Sequence, residues 1–84
     1  MSEFRVDYTV SDKPGSYLHR SAHFSCIQNA RFFIGLQERL GVRRASIWFV
    51  RKLLDYRGAE VPDVALVEDW FMIEGHWQKR SYVN

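Results

Sequence analysis

The stretch Tyr17–Cys26, YLHRSAHFSC, decides how this chain folds. Read as a helix, it stacks His19 over His23 with Cys26 one turn further on, a spacing that suits metal ligands. Read as a strand, it sets the two imidazoles about 13 Å apart, at ~3.3 Å per residue. Ligand bonds of ~2 Å cannot close that gap around one ion. The flanking residues choose between the two. Before the stretch, Pro14-Gly15 within SDKPGS has the chemistry of a type II turn, with proline at the second position and glycine at the third. After it, Ser25 with Gln28 three residues on forms a capping box that starts a helix. Residues 17–24 are therefore a strand, and Ser25-Cys26 opens the next element.

Working outward, FRVDYTV at 4–10 alternates without a break. Phe4, Val6, Tyr8 and Val10 take one face and Arg5, Asp7 and Thr9 the other, the pattern of a half-buried strand. In the return strand Leu18, Ala22 and Phe24 share a face with Arg20, opposite Tyr17, His19, Ser21 and His23. The helix that follows carries a stripe of Cys26, Ala30, Phe33, Ile34, Gln37 and Leu40, apolar except for Gln37, with Gln28, Arg31, Glu38 and Arg39 facing water. Gly41 closes it as a C′ residue. Phe32 and Gly35 fall off the stripe, and Gly35 suits a close approach to the sheet. By the same periodicity Cys26 is the first helical residue and turns inward. A helix N-terminus lowers a thiol pKa, but a buried small hydrophobe is the commoner role of a free cysteine.

RRASIWFVRKLL at 43–54 is partly apolar on both faces, as expected of a central strand. DYRGAEVPD at 55–63 reads as a loop around Gly58 and Pro62. VALVEDWFMIEGHWQKRSYV at 64–83 reads as two strands joined at Glu74-Gly75-His76. A helix over 63–73 is the rival, because Leu66, Trp70 and Ile73 also fit a 3.6-residue period; Val64, Val67, Trp70, Phe71 and Ile73 favour the strand. The expected fold is a single α+β domain over residues 1–84. It has an antiparallel sheet of four or five strands with one helix packed on one face, in the order β-β-α-β-β-β.

Composition narrows function. Eighty-four residues support one domain with a thin core. Six Phe, four Tyr and three Trp offset that thinness. A single cysteine excludes an internal disulfide, and there is no secretory leader pattern or long apolar run. The expectation is a cytoplasmic protein with no membrane partner. The net charge of +2 is small, but its distribution is uneven. Residues 31–52 carry Arg31, Arg39, Arg43, Arg44, Arg51 and Lys52 against Glu38; residues 55–74 carry Asp55, Glu60, Asp63, Glu68, Asp69 and Glu74 against Arg57. Either these segments pair across neighbouring strands or they form a separate basic face.

No phosphate-binding glycine loop, nucleophile elbow or paired-cysteine motif is present, and Glu68, Asp69 and Glu74 read as acids on a solvated strand or loop. No catalytic residue, metal ligand or cofactor is expected, and the chain reads as a non-enzyme. The expected function is that of a small protein-binding module, a regulator or inhibitor of a larger complex, acting as a monomer or homodimer. Small inhibitory products of phages and mobile elements are comparable in size and class, an analogy no motif carries. A sheet with one helix leaves an open face and free edges for partners, and Trp, Tyr and Arg dominate interface hot spots. The candidate partner-binding residues are Arg43, Arg44, Trp48 and Arg51 on the third strand and Trp77, Lys79 and Arg80 on the last. The alternative is a nucleic-acid-binding protein that stacks bases on Tyr17, Trp48, Trp77 and Tyr82 and holds phosphates with Arg43, Arg51, Lys79 and Arg80.

Overall fold

The computed structural model describes residues 2–13, 15–37, 42 and 44–82. Among these residues, five strands and one helix follow in the order β1 (Ser2–Lys13), β2 (Ser16–Phe24), α1 (Ile27–Gln37), β3 (Arg44–Leu54), β4 (Glu60–Ile73) and β5 (His76–Ser81). They form one antiparallel sheet ordered β2-β1-β3-β4-β5. This is the α+β arrangement expected from the patterning, with β1 inserted between β2 and β3.

The register follows the alternation residue by residue. Val6 sits opposite Ala22 on one side and Ile47 on the other, and Phe4 lies between Phe24 and Phe49. These side chains face α1, which lies chiefly over β1 and β2. Val6, Ala30, Ile34, Ala45, Ile47 and Val67 form the buried cluster, ringed by half-buried aromatics. Phe33 packs edge-on to Tyr8 and tilted against Phe24, at centroid separations of 5.3 and 5.2 Å, the geometry aromatic quadrupoles prefer.

Several local expectations are corrected. α1 begins at Ile27, and its first bond runs from the Ala30 N–H to the Cys26 carbonyl at 3.4 Å. That makes Cys26 the N-cap rather than Ser25, so its thiol lies outside the first turn and is exposed rather than turned inward. Arg31 does not face water alone; it reaches over the sheet to Glu68. Gly35 has nothing within 4 Å of where a Cβ would sit, so it makes no close approach to the sheet. Pro14, Arg43, and the helix end with Glu38, Arg39, Leu40 and Gly41 lie outside the described residues. Gly15 has φ 81°, in keeping with the turn read there.

The loop at 55–63 is shorter than its composition suggests. Asp55 Oδ1 accepts from the Arg57 and Ala59 N–H groups, and the Gly58 N–H donates to the Asp55 carbonyl. Gly58, at φ 79°, then redirects the chain, as in a three-residue hairpin built on a type I turn. Strand β4 therefore starts at Glu60 and contains Pro62, opposite Lys52. Proline is tolerated there because β5 pairs with β4 only from Glu68 onward, leaving an edge with no ladder bond to lose. The rival helix at 63–73 does not form. A bulge between Ile47 and Trp48 of β3 and their partners Glu68 and Leu66 accommodates Val67 as the extra residue. No described helix is long and apolar enough to cross a membrane.

Candidate protein-binding face

The sheet has two unlike sides. Among the described residues no layer covers the side away from α1, and several of its polar residues bond one another across strands. Ser21 Oγ donates to Asp7 Oδ1 (2.8 Å), Ser46 Oγ to Asp69 Oδ1 (2.7 Å), and the Tyr82 hydroxyl to Asp69 Oδ2 (3.0 Å). His19 shares a hydrogen bond with Thr9, and His23 pairs with Glu3. Both histidines thus have local partners. No grouping of three or more His, Cys, Asp or Glu close enough for a metal occurs among the described residues.

Through the middle of this side runs an apolar strip. On β3, Trp48 and Val50 face it; on β4, Leu66, Val64 and Pro62 stand opposite Trp48, Val50 and Lys52. The strip continues past the end of β1, whose last pair with β3 is Ser2–Arg51. Beyond that point β3 and β4 form a two-stranded arm. At its end Leu54 is 72% exposed and Tyr56 89% exposed, with the Arg57 guanidinium 5.1 Å over the Tyr56 ring. From Trp48 to Leu54 the strip is roughly 20 Å long. At its other end Arg44 and Arg80 flank a shallow depression of about 300 Å³ lined also by Asp69, Phe71 and Tyr82. Arg5 lies 6.0 Å from the Trp48 ring, held by Asp7 at 3.0 Å, a favourable cation–π geometry.

The candidate residues divide between the two sides. Arg44, Trp48 and Arg80 share the open side, with alternation and register placing them around the strip. Arg51, Trp77 and Lys79 project on the side of α1. There Arg51 pairs with Asp63 at 2.7 Å, and Trp77 packs edge-on against Trp70 with its centroid 6.3 Å away. Arg43 falls outside the described residues.

Sequence reasoning missed Glu68. It is only 1% exposed, although its sequence reads as surface. The Arg31 guanidinium grips it in a fork, Nε to Oε1 at 3.1 Å and Nη2 to Oε2 at 2.5 Å; the Trp70 indole N–H donates at 3.1 Å, and Lys79 Nζ lies 3.9 Å away. The Arg31 hydrogen bonds hold the carboxyl below its ordinary range against the opposing effect of burial, helped by Trp70 and Lys79. The same bonds raise the Arg31 guanidinium pKa. The Glu-Asp-Trp run in the sequence gives no hint of this, because the arginine that balances the charge lies 37 residues away.

Together the sheet, the strip and the arm define a small α+β protein whose described residues leave one side of the sheet exposed. No family model, curated protein or solved structure matches the chain.

Proposed function

We propose that this chain is a non-catalytic protein-binding module that regulates or inhibits a larger complex by applying the open side of its sheet to a partner. The observation that carries this reading is the apolar strip from Trp48 to Leu54, which crosses a sheet side that no other described residues cover and extends onto the two-stranded arm. A two-stranded ribbon alone is marginal in water, so an arm ending in exposed Leu54 and Tyr56 gains most when a partner packs on it. Trp48 is the anchor of the hot-spot type, with Arg44 and Arg80 at the rim. Arg51, Trp77 and Lys79 serve the other side of the sheet.

The test is affinity capture from the native host with nuclease-treated lysate. Trp48→Ala and the double variant Arg44→Glu/Arg80→Glu should each lose the captured partner at least tenfold, while the exposed arginine changes leave the melting temperature within a few degrees. Capture that survives both sets of substitutions would overturn the assignment. The aromatic-lined depression between Arg44 and Arg80 favours one second reading, single-stranded nucleic acid. That reading requires affinity that falls steeply with salt and is abolished by nuclease; the protein reading requires neither.

A further inference from the structure

The surface beside and above α1 is also incomplete. A compact chain of 10.0 kDa exposes roughly 5,200 Å², but this one exposes 6319 Å². Its radius of gyration is 14.6 Å, against about 12 Å for a compact domain of this length. The surplus of about 1,100 Å² is of the order that a standard interface takes from each partner, ~800 Å².

Part of the surplus lies on two apolar features that flank each other. The first is the outer face of α1. Phe32 is 70% exposed and Leu36 55% exposed, and they lie one turn apart with Gly35 beside them. From Ile27 to Gln37 the helix carries one charged residue, Arg31, and that one turns to Glu68. Gly35 lowers helix stability by ~1 kcal/mol relative to alanine, yet its empty Cβ position makes no contact within its own chain. The second feature is a largely apolar groove of about 630 Å³ between α1 and β4, floored by Phe4, Phe49, Ala65 and Val67, walled by Ile27 and bordered by the mutually paired Arg31 and Glu68. It exists because a helix ~10 Å wide covers about two strands at ~4.8 Å spacing, leaving the β4 side of a five-stranded sheet bare.

From these two features we infer that the chain forms an isologous homodimer in which α1 of each copy lies in the α1–β4 groove of the other. The two helices make one middle layer between two sheets. Each helix buries Ala30 and Ile34 against its own sheet and Phe32 and Leu36 against the partner's. A neutral apolar helix face and an apolar groove on the same side of one chain are self-complementary, which is what two-fold pairing requires. Between Ile27 and Gln37 a charged partner would find only Arg31, whose charge is already taken by Glu68. Gly35 has a role here: the missing side chain lets the partner's strands approach the helix backbone. The contact is made twice, each time over a helix length of about 16 Å, which suits the surplus area. The open sides then face outward, one on each flank, so the inference is independent of which partner they bind.

Sedimentation equilibrium over micromolar to millimolar concentration tests this. The wild-type chain should reach twice its monomer mass. Phe32→Lys on the helix and Ala65→Glu in the groove, both exposed positions, should each raise the dimer dissociation constant by about a hundredfold while a dispersed amide NMR spectrum shows the monomer still folded. An equimolar mixture of the two variants should dimerise better than either alone. Each mixed dimer keeps one unaltered helix–groove contact and gains an opposite-charge pair at the other. A wild-type chain that stays monomeric throughout overturns the inference. So does a dimer indifferent to Ala65→Glu, which would mean that the helices meet without the groove.

Discussion

Glu68 shows how much one residue can depend on distant chain. Its carboxylate is buried and ionised because Arg31, Trp70 and Lys79 converge on it. Removing one partner of a buried pair strands the other, at a cost of about 3–5 kcal/mol when both are buried. Arg31 keeps about a third of its side chain in water, so Glu68→Gln should cost less, about 1–3 kcal/mol at neutral pH. The pH dependence has a definite sign. The folded carboxyl titrates below its unfolded value of ~4.3, so its stabilisation is fully present above that pH and is lost as the pH falls through the depressed folded value. Urea titrations from neutral pH down into the acid range should show a steep loss in the wild type and a shallower one in Glu68→Gln; parallel curves would show that the pair contributes nothing. Cys26 is the opposite case. Helical periodicity turned its thiol inward, but the helix begins one residue later, and a capping position has no inward face.

At the scale of elements, the strands were legible because alternation and register obey one period. Phe4, Val6 and Tyr8 face the same side in sequence and in space. The turn after β4 was equally legible: Gly75 has φ 80°. Its neighbour Glu74 has φ 51°, and two successive positive values mark a type I′ turn. A left-handed conformation costs a residue with a Cβ about 1–2 kcal/mol, less for asparagine. Glu74→Asn should therefore raise stability by about 1 kcal/mol, seen as a melting temperature several degrees higher; no increase would mean the turn stores no strain. The bulge at Val67 was not legible. Every residue in VALVEDW is compatible with plain pairing, and the extra residue is absorbed only when β4 is laid against β3. The arm was hidden for a related reason. Pro62 reads as a loop residue unless its strand is an edge, and the edge exists only because β5 stops short.

At the scale of the whole molecule, opposite charges meet on neighbouring elements. Arg51 pairs with Asp63, Lys52 with Glu60 at 3.5 Å, and Arg31 with Glu68. Much of the uneven charge along the chain is thus cancelled across β3, β4 and α1, while Arg44 and Arg80 remain on the open side. The core is small, so each of its members matters. Ile47 is fully buried between Val6 and Glu68, and Ile47→Ala should cost about 2–5 kcal/mol. Against a total of about 5–15 kcal/mol, that lowers the melting temperature by roughly ten degrees or more in calorimetry; a shift of only a few degrees would show that the central strand is not the keystone of the sheet. Hydrophobic period and turn chemistry are local properties of the chain, and they suffice for the order of the elements and for the inward face of β1. The place of β1 between β2 and β3, the burial of Glu68, and the strip and groove left bare by the described residues on opposite sides of the sheet arise from long-range packing. Those depend on which residues distant in sequence are brought together and on how much of a five-stranded sheet one helix can cover.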